Sequence, residues 1–397
     1  MIPRTKVAYR LRQLLSAFIA SERGDRHRVA LRNALGAKFG SSNVLLTASG
    51  RGALYLILSV LPQRKVLVPA YTCKAVIEAA RLAGKEVVFG ESEADGINMA
   101  VASLAGRLDP DTVLLATHQF GIPCAIGSMI DMARAAGAYV IEDAAAALGT
   151  RVDGKLTGTF GDAAIFSFDS TKLVNVPLKG GFLLVRDAEL HERCREFAAK
   201  VTQPMHWRRK LRYLALGMAL VMIEHPLVYR LFHNLKFAWR GRFTDDEMES
   251  QGNLGPFYRD RLAEWQASII VPQLDRLDET IRRRRQMYAA YRQNLQGAVA
   301  FSLPPEDVGE EWAPIRFPIR AHSDKMALYR RAVEKGVDFA FSFTFIASPR
   351  SFLKAHALAD SVLDLPFYDR LTERELDQVS RAMRNIDQDL IEGSRAC

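Results

Sequence analysis

Apolar residues occur in this chain as short uninterrupted runs and as helical stripes, with polar residues gathered where the runs end. Two runs, Tyr139 to Ile141 and Ala163 to Phe168, are of strand length, and each is followed by a cluster of polar groups. Strands buried on both faces of a parallel sheet read this way. The stretch VLLATHQFGIPCAIGSMIDMARAAGAYVIED predicts strand, loop, helix and strand, a right-handed βαβ unit with His118, Gln119 and Phe120 at the first strand's end. Upstream, VLVPAYTCKAVIEAA predicts a strand ending at Pro69 and Ala70, then a helix. Leu45 to Leu61 predicts a turn of Ser49, Gly50, Arg51 and Gly52 that opens an apolar helix.

The ends of the chain carry different patterns. Arg4 to Glu22 places Leu11, Leu14, Leu15, Phe18 and Ile19 on one stripe, which predicts a basic amphipathic helix packed on the body of the protein. From Tyr258 the pattern is one or two long helices. From Glu311 to Ile386, short strands alternate with helices: APIRFPIRA, a helix from Ser323 to Lys335, Val337 to Ala347, then DLPFYDRLTERELDQVSRAMRNI; the tail from Asp387 is expected to fray. The resulting division is an N-terminal helical segment (1–40), a large domain (41–270) and a small C-terminal domain (271–397). The fold class is α/β, with a mainly parallel sheet in the large domain and an α+β small domain.

One insertion breaks the scheme. Gln203 to Arg242 holds eight Lys or Arg against one acid, Glu224, and its longest uncharged run, Tyr213 to Ile223, has eleven residues. A spanning helix needs about 20, so no bilayer crossing is predicted. The segment suits protein packing first, as an oligomer contact or a cover over a site, and peripheral contact with a membrane surface second.

Composition narrows the class. With 397 residues and 49% hydrophobic content the chain can bury a large core. Cys73, Cys124, Cys194 and Cys397 show no paired or metal-ligand spacing, which points to a reducing cytoplasm and to no metal site. The net charge of +9 is unaccompanied by any nucleic-acid motif or aromatic stacking platform, so anionic small substrates or a membrane surface account for it instead. Arg4 to Glu22 also lacks the continuous apolar stretch and small-residue cleavage site of a signal peptide.

Candidate chemistry sits at the strand ends, where open α/β sheets keep their ligands. The first run delivers Glu142 and Asp143; the second delivers Ser167, Asp169, Ser170, Thr171 and Lys172. A lysine just past an apolar strand can be desolvated into a nucleophilic amine. Such an amine suits pyridoxal phosphate, which needs a lysine for its Schiff base, an acid for its pyridinium nitrogen and donors for its phosphate. Asp143 is the candidate acid, and the Ser49-Gly52 helix start is a candidate phosphate nest. On spacing alone, an N-cap role for the acid pair and a solvated loop lysine stay open.

The order VIEDAAAALG, GKLTGTFGDAAIFSF, then a lysine followed by a glycine pair resembles the DegT-type sugar aminotransferases, fold type I enzymes that depend on pyridoxal phosphate. The resemblance runs from about Asn43 to Leu371. It implies Lys172 as the Schiff-base lysine, Asp143 as the ring-nitrogen partner, and Ser167 with Ser49, Gly50 and Arg51 at the phosphate. It also implies a homodimer with shared sites, in which Arg259 stands at the position that reaches the partner's phosphate. The resemblance further implies glutamate as the amino donor and a nucleotide-linked keto sugar as the acceptor, on the way to an amino sugar for polysaccharide or a secondary metabolite.

Several residues depart from the pattern. Arg51 replaces a small hydroxyl residue, and Cys73 stands where an aromatic residue stacks on the cofactor ring, leaving either Tyr71 to take over or the ring to be covered differently, and Cys73 to be a buried structural thiol. Ala146 replaces Gln or His, Asp169 replaces a histidine, and Lys179 replaces an acid, which makes Lys179 a rival nucleophile by position, although beside Gly180 and Gly181 a turn is the better reading. His118 is placed near the cofactor or as a hydrogen-bonded structural histidine. The alternatives are a lyase or dehydratase using the same cofactor, the dehydratase branch carrying histidine in place of Lys172, and a non-catalytic regulator or membrane-surface protein of the same fold.

Overall fold

The computed structural model describes residues 1–20, 24–238, 255–306, 311–344 and 346–395. The helix expected from Arg4 begins only at Leu11, as α1 (Leu11–Ala20). Before it the chain is irregular because its amides are taken elsewhere: Ile2 N–H donates to Gly336 O (2.8 Å), Val7 N–H to Glu224 Oε1 (2.6 Å) and Ala8 N–H to Asn175 Oδ1 (3.0 Å).

After α2 (Arg26–Phe39) the main sheet begins, with β1 (Val44–Thr47), α3 (Gly50–Val60), β2 (Lys65–Pro69), α4 (Lys74–Leu82) and β3 (Glu86–Gly90). The predicted βαβ unit is β4 (Thr112–Thr117), α5 (Ile126–Ala135) and β5 (Tyr139–Asp143), with Val113 to Thr117 pairing in parallel with Tyr139 to Asp143. A small hairpin, β6 (Arg151–Val152) and β7 (Lys155–Leu156), precedes β8 (Ala163–Ser167) and β9 (Gly181–Val185). The seven-stranded sheet runs β1-β9-β8-β5-β4-β2-β3, and β9 alone is antiparallel to its neighbours. Every residue of β4 and β9 is buried, which is why these strands are continuous apolar runs. The carboxyl ends of the other six strands share one edge of the sheet.

Helices α6 (Ala188–Val201), α7 (Trp207–Ile223), α8 (Pro226–Ala238), α9 (Pro256–Arg259), α10 (Glu264–Asp275) and α11 (Leu277–Leu295) follow. The insertion is therefore a helical hairpin, α7 and the first turns of α8 meeting at 106°, and no single described helix is long and apolar enough to cross a membrane. Its last residues, from 239, lie outside the described residues.

The remainder is β10 (Phe301–Ser302), β11 (Phe317–Ala321), α12 (Lys325–Glu334), α13 (Leu353–Ser361), β12 (Val362–Leu365) and α14 (Glu373–Arg395). The three strands form an antiparallel sheet, β10-β11-β12. Val337 to Ala347 contributes only isolated pairings, Val337 with Ile2 and Ala340 with Asp364, among its described residues. The tail is helical through Arg395 instead of fraying at Asp387. Asp387 accepts hydrogen bonds from Val299 N–H (2.8 Å) and Ala300 N–H (2.6 Å), and Asp389 pairs with Lys335 at 3.2 Å, so the last turns are tied down.

Candidate active site

Strand alternation sends the adjacent carboxylates of β5 to opposite faces. Glu142 is fully buried and accepts from Gly158 N–H (2.7 Å), Phe160 N–H (2.7 Å), Gly161 N–H (2.8 Å) and the His118 ring, whose Nε2 lies 3.1 Å away. Cys124 N–H donates to His118 Nδ1 (3.2 Å), so the imidazole carries its proton on Nε2 and gives it to Glu142. Burial would raise the Glu142 pKa, but His118 and the amides hold it below the ordinary carboxylate range. This explains why VIED and GTFG occur together: one acid organises the other loop. His118 reaches the cleft only as part of its floor, with both ring nitrogens occupied. Glu142→Ala would strand these donors without water, and a loss of about 3–5 kcal/mol is expected from urea unfolding. A loss under about 1 kcal/mol would contradict this account.

Asp143 faces the other way, into a cleft of about 270 Å³ at the carboxyl edge of the sheet. Its Oδ1 accepts from Ala145 N–H (3.1 Å), and burial raises its pKa despite that bond. Lys172 lies in the loop after β8 and faces the same cleft. Its Nζ makes no hydrogen bond and no ion pair with any described residue, and burial lowers its pKa while Asp169 and Asp143 act against that. The acid and the amine are near enough for each to perturb the other's ionisation. A buried carboxylate and a desolvated, unpaired amine facing one cavity are what a cofactor aldehyde with a basic ring nitrogen requires.

The third wall is the first turn of α3. Ser49 caps it, its Oγ accepting from Gly52 N–H (3.0 Å) and donating to Phe257 O (2.9 Å), so its hydroxyl is already engaged and its backbone borders the cleft. A Cβ on Gly50 would come 3.1 Å from Ser167 Cβ, and one on Gly181 would come 2.6 Å from Gly50 N. The glycine pair after the lysine loop therefore lets the helix start settle directly on β9 and beside Ser167. The free amide groups of this turn suit an anion such as a phosphate.

Arg51 lines the cleft, but its guanidinium pairs with Glu78 Oε2 at 2.8 Å and stacks over Phe257. Tyr71 does not take over ring stacking. It is fully buried, its hydroxyl donates to Ser342 O (3.1 Å), and its ring packs edge-on against Phe120 and Phe343. Cys73 is exposed at the start of α4 and lines the cleft, so it is not the buried structural thiol expected of it. Arg259 is exposed and lies outside this chain's own cleft, with its carbonyl accepting from Gln203 N–H at 2.7 Å.

The rival amine is engaged. Lys179 forms an ion pair with Asp169, whose pKa is held down to about 2 by Lys179 although burial pushes it up. Asp169 also accepts from Thr171 N–H (3.0 Å), so the acid pins both ends of the loop that presents Lys172. Other lining residues went unread in the sequence: Thr72, Arg316, Ser342 and Phe343. Arg316 pairs with Asp364 at 3.3 Å. Phe120 and Phe343 both have positive φ, 56° and 50°, and stack with ring centroids 5.7 Å apart, a strained pairing of the kind found at ligand sites. Only the pairing of Phe120 with Gly121 hinted at it in sequence.

The chain is 26% identical to the UDP-N-acetyl-3-dehydro-alpha-D-glucosamine 3-aminotransferase of Acidithiobacillus ferrooxidans, over 85% of this chain and 82% of that protein. It is 24% identical to the GDP-perosamine synthase of Escherichia coli O157:H7, over 73% of this chain and 69% of that one. Among solved structures, the sugar aminotransferase CalS13 from Micromonospora echinospora superposes with a TM-score of 0.74 at 22% identity, covering 97% of this chain and all of that one. Helicobacter pylori PseC, an aminotransferase in pseudoaminic acid biosynthesis, superposes with a TM-score of 0.76 at 15% identity, covering 98% and 99%. The model of the DegT/DnrJ/EryC1/StrS aminotransferase family matches residues 9–384, and the chain belongs to that family of pyridoxal-phosphate-dependent aminotransferases.

Proposed function

We propose that this protein transfers an amino group from a small amino donor, glutamate in our reading, to the keto group of a nucleotide-linked sugar. The observation that carries the proposal is the convergence of the unpaired Lys172 amine, the buried Asp143 carboxylate and the α3 N-terminus on one cleft. Pyridoxal phosphate bound there supplies an electron sink for the reacting carbon and a carrier for the amino group.

Each side chain then has a task. Lys172 holds the cofactor through its amine. Once released, Nζ would serve as the base that carries the proton between the substrate carbon and the cofactor. Asp143 keeps the ring nitrogen protonated, which a carboxylate in a dry site does strongly. The amides of Gly50 and Arg51, with Ser167, receive the phosphate. Asp169 and Lys179 act as positioning residues that keep the Lys172 loop in place. Arg316 adds a cation at the mouth for an anionic substrate group.

The dimer enters this reading through α9. Phe257 of α9 sits over the α3 helix start while Arg259 turns outward, a disposition that suits an arginine serving a second subunit's phosphate. The free thiols of Cys73, Cys124 and Cys194 suit a cytoplasmic enzyme.

The test is a transamination assay with glutamate and nucleotide-linked keto sugars, scored by 2-oxoglutarate and by the amino sugar. Formation of both in equal amounts is expected. Pyridoxal phosphate bound to the protein with no keto acid formed from glutamate or from any other amino donor would overturn the transaminase reading.

A further inference from the structure

The insertion has a use that the active site does not account for. Among the described residues fourteen large hydrophobics are exposed, and eleven of them lie on three helices that adjoin in the fold: Leu11, Leu15 and Ile19 on α1, Trp207, Leu211, Leu216 and Met222 on α7, and Leu227, Val228, Leu231 and Phe232 on α8. The opposite side of α7 is packed, with Gly217 against Pro177 and Leu14. These helices therefore cover the body with one face and leave an apolar face without a partner among the described residues, more concentrated than scattered surface leucines.

The charge of this face selects its partner. Arg12, Arg208, Arg212 and Arg230 are exposed on the same helices, and none of the three helices contains an acidic residue before position 235. The neighbouring acids are committed, Glu224 to Arg370 and to Val7 N–H, Asp260 to Arg209, and Asp338 to the Tyr229 hydroxyl. A second copy docked through this face by a two-fold axis would set arginines against arginines. An anionic bilayer surface is complementary to both its charge and its apolar side chains. Helix α7, 17 residues long and bent sharply against α8, suits lying in the interface plane rather than crossing.

We propose that the α1–α7–α8 face docks the protein on anionic phospholipid, with Met222, Leu227, Leu231 and Phe232 entering the acyl boundary and the arginines meeting headgroup phosphates. Pro177, against which α7 packs, belongs to the loop that carries Lys172 and Lys179. A docked chain would thus hold its catalytic loop about one helix diameter, roughly 10 Å, from the surface. The proposal stands apart from the transaminase reading, since it uses no residue of the cleft.

The test is co-sedimentation of the intact, tag-free protein with vesicles of phosphatidylcholine alone or with about a third phosphatidylglycerol, an anionic lipid. At least ten-fold stronger partitioning onto the anionic vesicles is expected, weakening at about 1 M salt, where the Debye length is about 3 Å. The double variant Leu227→Glu/Leu231→Glu should lose at least ten-fold with its melting temperature unchanged, because these side chains are 74% and 62% exposed. Arg208→Ser/Arg212→Ser should remove most of the anionic preference while leaving the apolar face intact. No preference of the wild type for anionic vesicles, or binding by the leucine variant equal to wild type, would overturn the proposal. So would conversion of a dimer to a monomer by that variant with vesicle binding unchanged, which would assign the face to a second copy.

Discussion

Lys172→Ala is expected to lower turnover by at least about 10³-fold, the upper range for losing a group that acts as both nucleophile and proton carrier. The argument is one of availability. Lys179 borders the same cleft, but its ammonium is held by Asp169, whereas Lys172 Nζ is unpaired and desolvated. An amine whose pKa is lowered by burial has more of its neutral, nucleophilic form at neutral pH. Lys179→Ala should therefore keep the covalent link to the cofactor that Lys172→Ala loses. Borohydride reduction followed by peptide mass mapping distinguishes the two: the label is expected on Lys172. A label on Lys179 would reverse the assignment.

The second large effect is at Asp143. Asp143→Asn keeps the shape and the acceptor for Ala145 N–H but removes the charge opposite the ring nitrogen. A charge-assisted hydrogen bond of about 1.5–3 kcal/mol corresponds to roughly 10- to 150-fold in the rate of the donor half-reaction. Stability should move the other way. Burial raises the Asp143 pKa above its unfolded value, so its ionised form costs stability above the unfolded pKa, and stability is recovered as pH falls through the folded pKa. Without cofactor, the Asn variant should be as stable as wild type or more stable at pH 7 by urea unfolding. A variant that is both less stable and fully active would contradict the placement of Asp143.

These residues were legible in the sequence because both terminate apolar runs that are buried on both sides, and such runs leave few choices for where polar groups emerge. Gly50 and the pair Gly180 and Gly181 were legible too, but their reason was not. The close approach of the α3 start to β9 appears only when Gly181 is seen paired with both Thr47 and Ser167. Tyr71 misled because pattern gives no rotation: its neighbours Thr72 and Cys73 border the cleft while its own ring turns into the core with Phe120 and Phe343.

What was not legible comes from long range. Arg316, Ser342 and Phe343 lie more than 140 residues beyond Lys172 and reach the cleft through packing of the small sheet, with no local signature. The irregular N-terminus has the same origin, since the acceptors that keep it from coiling, Gly336 O, Glu224 and Asn175, are all distant in the chain. In the tail, Asp387 and Asp389 likewise owe their order to Val299, Ala300 and Lys335.

The central claim is that Lys172 and Asp143 form a working pyridoxal-phosphate site. It is tested most directly by the visible absorption of the protein reconstituted with pyridoxal phosphate, before and after glutamate, beside Lys172→Ala. The account predicts a lysine-linked cofactor band in the wild type that glutamate bleaches, and no such band in the variant. A wild type that folds but takes up no pyridoxal phosphate, or a variant whose spectrum matches wild type, would contradict it.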